Sequence, residues 1–432
     1  MQKWSIWSWG VIAALGPASA LAQPVCLDFS TALARAQTES PNVDAARADL
    51  AEAEAALTEA KSLFRPQLST FGRAGLGDNG LVDSQIENLV GLRASQRVFD
   101  FGNAKFARRA ARADIASRES AMLDAQTQSA LRVGEAYIGW LETGARLGAT
   151  SERISYFTEQ LTAINAVYDS GGATLTERAE VGAALAEAQA EALELGLARD
   201  RFAAVVQINA NAANPLCPAG ESAADDLLGQ TAAELAPDSG ARMDRAVEDN
   251  ARVRSLASTV ASLEAQSAQA RRARLPVVEV VGIVSFANDG AGIETGIQER
   301  VGVDISVPLY TGNAIGARSR QAGARRDRAE ADLQQAKREV REQITLSQQR
   351  VLSLTAQVER RAAVEALSLQ LFEAAQIERE RGVRTLPLLI DVRLQFEEAI
   401  LTRIAVAYEL RREQLRLLGL FNALAMEEEA IR

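Results

Sequence analysis

Histidine is absent from the 432 residues. Its absence excludes Ser-His-Asp and Cys-His catalysis, imidazole metal ligation and the commonest proton shuttle. Cysteine is nearly absent, with only Cys26 and Cys217. Lysine is scarce too: Lys3, Lys61, Lys105 and Lys337 leave 43 of the 47 basic residues as arginine, a compositional bias without functional weight. No glycine-rich phosphate loop ending in lysine is found, so the chain carries no nucleotide-driven motor. The carboxylates are spread along helices and form no group with metal-ligand spacing, so no cofactor, metal or catalytic residue is expected. No stretch of about 18 apolar residues could serve as a membrane helix. The net charge of -10 disfavours a nucleic-acid partner. What remains is 47% hydrophobic and 24% charged, the composition of a folded protein.

The first residues read as an export signal. Lys3 gives the positive end, Ile6 to Leu15 a short apolar run, and Ala20-Leu21-Ala22 a cleavage site, so residues 1–22 are expected to be removed. Cys26 follows Pro24-Val25 rather than a small residue, which argues against a lipid anchor.

The rest of the chain repeats itself. Pro66 recurs as Pro276, Gly72 as Gly282, Gly102-Asn103 as Gly312-Asn313 and Gly172 as Gly382, all 210 residues apart. One residue must be inserted within the second strand, where Gly91 matches Gly302. Each copy opens with an Ala- and Glu-rich helix, 28–63 or 241–274, with few breakers. Two stretches of period-two alternation follow, at about 66–77 and 84–98, then 276–287 and 296–307. A long helix comes next, 103–168 or 313–380, with apolar residues seven apart such as Ile344, Val351 and Val358. A glycine hairpin then leads into a returning helix. The expected divisions are a first repeat over 23–208, a Pro-containing linker over 209–240, a second repeat over 241–420 and a tail over 421–432.

Lengths suggest an architecture. A helix of 66 residues spans roughly 100 Å, about twice the length of the helices flanking it. The loose ends therefore gather at its midpoint, together with Cys26 and Cys217; a disulfide and two separate thiols both fit that placement. Strands of about 11 residues can cross a bilayer as tilted barrel strands. Four strands in one chain would leave two edges unpaired in lipid, so identical copies must pool them. Three copies would give 12 strands and room for a water-filled bore.

The duplicated plan, "VFDFGN" at 98–103, "PLYTGN" at 308–313 and the hairpin "RGVRTLPLLIDV" at 381–392 resemble the TolC family of outer-membrane efflux and secretion channels. The resemblance implies a mainly α fold with a transmembrane β-barrel: a homotrimer with a 12-stranded barrel continuous with an α-helical periplasmic tunnel. It implies an outer-membrane location and partners in a periplasmic adaptor and an inner-membrane ABC or proton-driven exporter. Its adaptor-contacting hairpin tips correspond to Gly171, Gly172, Thr174 and Leu175, and to Gly382, Val383, Arg384 and Thr385. Its acidic ring at the tunnel mouth corresponds to Asp391, while the place of a second acid holds Leu388. A family tyrosine is Arg379 here, and the family's hairpin arginine, which pairs with an acid on a neighbouring helix, is Arg384. In the first copy Glu177 and Glu180 are the nearby acids.

Independently of kinship, three inward Asp391 carboxylates around an axis would attract cations and repel anions; the other reading of Asp391 is a solvated helix-surface acid. Two functions follow from the sequence: a passive exit duct opened by its partners, or a periplasmic coiled-coil adaptor without a pore. An adaptor would carry one hairpin and an anchor, whereas this chain has two hairpins and paired spanning strands. An enzyme is not expected.

Overall fold

The structure is a computed structural model and describes residues 26–77, 85–217, 228, 240–289 and 295–424. The export signal over 1–22, most of the 209–240 linker and the tail beyond Leu424 lie outside the described residues.

The elements run α1 (Phe29–Glu39), α2 (Pro41–Ser62), β1 (Gln67–Gly77), β2 (Gln85–Phe99), α3 (Asn103–Asp169), α4 (Leu175–Asn209), α5 (Gly240–Asp249), α6 (Ala251–Arg272), β3 (Val277–Asp289), β4 (Thr295–Ser306), α7 (Ala314–Glu380) and α8 (Leu386–Leu420). The leading helix expected over 28–63 is in fact two. Ser40 is extended (ψ 136°) and Pro41 occupies the first turn of α2, where its missing N–H costs nothing. The second copy breaks at the corresponding Asn250, whose side chain accepts from the Arg252 amide at 3.1 Å.

Helices α3 and α7 each hold 67 residues, about 100 Å of helix. Helix α3 is the spine. It packs against α2 and α6 in the half nearest the strands, and against α4 and α8 in the half nearest the hairpins. At its midpoint Tyr137 is fully buried and donates to the carbonyls of Leu27 (3.1 Å) and Cys217 (2.9 Å). Beside it, Leu27 and Leu216 form a parallel bridge and Cys26 is disulfide-bonded to Cys217. Burial, with Asp28 nearby, pushes the Tyr137 phenol up to about 12, so it remains a donor at any ordinary pH. A core of Phe29, Tyr137, Ile138, Leu415 and Leu418 closes around this belt.

The four strands form one antiparallel sheet in the order β1-β2-β3-β4. Alternation gives it two unlike faces. One carries Leu68, Val90, Leu92, Val280, Val284, Phe286, Val301, Val303 and Ile305, all exposed, with the exposed Glu299 among them opposite Val284. The other carries Ser69, Arg93, Arg97, Glu279, Arg300 and Asp304, with Arg97 paired to Glu279 at 3.4 Å, and Phe71, Val281 and Ile283 between them. The outer edges of β1 and β4 have no neighbour among the described residues.

The repeat differs from the sequence match in one respect. Helices α2 and α6, and strands β1 and β3, begin 210 residues apart. From the second strand onward the separation is 211 and stays there: Gln67 pairs Ser95 where Val277 pairs Ser306. The added residue therefore falls before the second strand rather than inside it, and Gly91 does correspond to Gly302. The matches Gly102-Asn103 to Gly312-Asn313 and Gly172 to Gly382 are out of register by one. Backbone conformation decides this. The left-handed pair before the long helix is Phe101 and Gly102 in one copy, Gly312 and Asn313 in the other; the left-handed hairpin residues are Gly171 (φ 78°) and Gly382 (φ 72°).

Candidate functional site

The end of the molecule opposite the sheet is made of two helical hairpins. Each closes in the same way. Gly171 donates to Tyr168 O and Gly172 to Val167 O, both at 2.9 Å; Gly382 donates to Arg379 O and Val383 to Glu378 O, both at 2.9 Å. These bonds satisfy the last carbonyls of α3 and α7, and the left-handed glycine turns the chain without a Cβ clash. Thr174 then starts α4 with a capping box: its hydroxyl accepts from the Glu177 amide (3.2 Å), and the Glu177 carboxylate accepts from the Thr174 amide (2.9 Å). Those bonds hold the Glu177 carboxyl below its usual range. Thr385 takes the corresponding N-cap position of α8 without a side-chain cap bond, and Pro387 lies in the first turn. Leu175 and Val383 project from the tips, 61% and 76% exposed.

The sequence-marked residues are placed as follows. Asp391 is exposed on α8, one turn beyond the exposed Leu388. With the repeat registered at 211, Glu180 on α4 corresponds to Asp391, and Glu177 corresponds to Leu388. One carboxylate therefore stands at the same depth on each hairpin. Glu180 is half-buried, and its Oε2 is enclosed without a hydrogen-bond partner. Glu177 differs from the other acids because its carboxylate is committed to the cap. Arg384 donates to Glu378 of α7 at 2.8 Å, an acid of its own hairpin. Arg379, in the place of the family tyrosine, reaches the Arg384 carbonyl at 3.4 Å; its counterpart Tyr168 lies under the Arg178 guanidinium at 4.8 Å.

Sequence reasoning missed the feature that ties the two hairpins together. Arg153 of α3 is buried and bridges Glu191 of α4 (2.5 Å) and Glu397 of α8 (3.2 Å). Arg146 approaches Glu191 at 3.9 Å from the same side. One turn along α8, Arg393 is buried against the rings of Tyr156, Phe372 and Phe396, 5.1 to 5.4 Å from their centres. The signal was available in the heptad: Leu386, Ile390, Arg393, Glu397, Ile400 and Ile404 form one a/d stripe with two charges in it. No group able to hold a metal is found among the described residues.

Residues 32–209 match the family model described as outer membrane efflux protein. The chain is 22% identical over 325 residues to the outer membrane efflux protein BepC of Brucella suis, covering 73% of this chain and 67% of BepC. Its fold matches the Campylobacter jejuni CmeC outer membrane channel (TM-score 0.78, 14% identity, 93% of this chain and 88% of that one). It also matches the outer membrane protein VceC of Vibrio cholerae (TM-score 0.76, 15% identity, 91% and 96%). The duplicated helix–sheet–helix plan and the two glycine hairpins agree with these matches: the chain resembles the outer membrane efflux proteins over residues 32–209 and shares the fold of outer membrane channels of known structure.

Proposed function

We propose that this protein is the outer-membrane exit channel of a tripartite export system, a passive conduit whose sheet crosses the membrane and whose helices form a duct beneath it. One observation carries the reading. A four-stranded sheet with one exposed, largely apolar face, one face bearing most of the charges and, among the described residues, two free edges stands on helices of about 100 Å. In lipid the free edges would leave backbone groups unpaired at several kcal/mol each, so β4 of one copy must meet β1 of the next. Three copies close 12 strands, with the polar face inward. The matched family model and the structures sharing this fold are of outer membrane channels, which supports the reading.

The hairpin end is the periplasmic mouth in this reading. The tips, with Leu175 and Val383 bare, are the surface offered to an adaptor; an inner-membrane exporter supplies the energy. Asp391 and its counterpart Glu180 form the selectivity ring, two carboxylates per copy around the axis. Opening requires the two hairpins of each copy to move relative to one another, and the contact resisting that movement is Arg153 with Glu191 and Glu397.

The test is fractionation followed by reconstitution. The full-length product is expected in the outer membrane as an oligomer that heat converts to monomer, and it should conduct ions in a planar bilayer. A monomeric periplasmic protein without conductance would overturn the proposal.

A further inference from the structure

We infer that the junction between sheet and helices holds an anionic glycerophospholipid of the periplasm-facing leaflet, its phosphate taken by Arg271 and Arg274. The inference rests on the outer-membrane reading above and adds a site to it. A cleft of about 540 Å³ lies between the end of α6 and the start of α7, lined by Arg271, Arg274, Leu309, Tyr310 and Ile315. Leu309 and Tyr310 are 93% and 90% exposed, the barest large apolar side chains in the described residues. They continue the apolar wall of the sheet. In the 211-residue register Tyr310 corresponds to Phe99, and Phe99 is in the last rung of that wall with Val278 and Ile305. A bilayer that covers the wall therefore ends at this level.

Apart from Glu279 and Asp304, which pair with Arg97 and Arg93 on the other face of the sheet, the charge at that level is one-sided. The segments 60–66, 97–112, 270–276 and 308–320 contain Asp100 as their only carboxylate. Asp100 is buried and occupied by the Gly102 and Ala104 amides at 3.1 and 2.8 Å. The same segments carry Lys61, Arg65, Lys105, Arg109, Arg271 and Arg274, all exposed, in a chain whose net charge is -10. Several arginines lower on the helices have acids, as Arg341 has Asp244 and Arg326 has Glu330. Arg271 and Arg274 have no carboxylate within ion-pair distance among the described residues; Arg274 Nε donates to the Arg271 carbonyl at 3.3 Å, leaving its terminal nitrogens for a ligand. Position in the last turn of α6 accounts for a basic residue at 271. It does not account for two arginines sharing a cleft with bare Leu309 and Tyr310. A guanidinium pair below an apolar wall matches a phosphodiester below its acyl chains.

The experiment uses the full-length protein in nanodiscs. Incorporation into phosphatidylcholine discs tests the membrane reading alone. Affinity for spin-labelled phosphatidylglycerol over phosphatidylcholine tests the cleft. The wild type should prefer phosphatidylglycerol, and the double variant R271A/R274A should lose that preference about tenfold, as expected for removing two interfacial cations. The control R360A/R361A, on an exposed stretch of α7, should leave it intact. Equal affinity for both lipids, or a preference that survives R271A/R274A, would overturn the inference. So would an R271A/R274A variant whose oligomer falls apart while its lipid preference is kept, because the cleft would then belong to a contact between copies.

Discussion

At the scale of single residues, the acids divide by environment. Burial among the helices pushes the Glu397 carboxyl from its ordinary 4.5 up to about 7, against the opposing pull of Arg153 and Arg393. The folded state therefore binds this proton more tightly than the unfolded chain. The stability so gained is fully present below about pH 4.5 and is lost as pH rises through about 7. Glu397→Gln should flatten that dependence, read as the difference in melting temperature between about pH 5 and pH 8; an unchanged difference would remove Glu397 as its source. Arg153→Ala should be far more damaging, by about 3–5 kcal/mol, since it strands Glu191 and Glu397. Asp391 is a different case, exposed and free of structural duty. Asp391→Ala should weaken cation preference in single-channel recordings, and Asp391→Ala with Glu180→Gln should weaken it further. Unchanged ion selectivity in both would take these carboxylates out of the channel mouth.

At the scale of elements, the midpoint belt and the sheet faces make separate demands. Tyr137→Phe deletes the donor to two buried carbonyls and should cost about 1–3 kcal/mol in thermal unfolding. Cys217→Ser should cost a similar amount and expose the chain before α1 to limited proteolysis; equal protease resistance in the variant would show that the disulfide pins nothing. On the sheet, a cation should be tolerated on one face and opposed on the other. Val301→Arg puts a cation on the apolar wall and should oppose membrane insertion by about 2–4 kcal/mol if it lies near mid-bilayer. Arg300→Lys, one residue away on the polar face, should insert normally. Much at this scale was legible in the sequence. Period-two alternation marks all four strands, and Pro66 and Pro276 mark where helix gives way to strand. The break at Ser40-Pro41 was also written in the sequence, in a proline that suits only a first turn. The register of the repeat was less legible, because identical letters at 102–103 and 312–313 outweighed the backbone requirement for a left-handed residue one place earlier. Least legible was the Arg153 cluster. A charge on a helix looks solvated until the helix across from it is known, and Arg153, Glu191 and Glu397 come from three different helices.

At the scale of the whole molecule, the governing quantity is the number of spanning strands. Length arithmetic placed the midpoint of the long helix against the loose ends, and Tyr137 meets Leu27 and Cys217 there. The described residues of one chain hold four strands, an apolar wall and two bare edges. No internal rearrangement supplies the missing strands, so the pore must be a joint product of identical chains. An electron cryomicroscopy map of the purified protein in nanodiscs tests this most directly. The account predicts a threefold particle with a single closed barrel of 12 strands, four from each chain, in which β4 of every copy pairs with β1 of the next. A barrel built from one chain, or a particle whose sheets remain separate in the membrane, would contradict it.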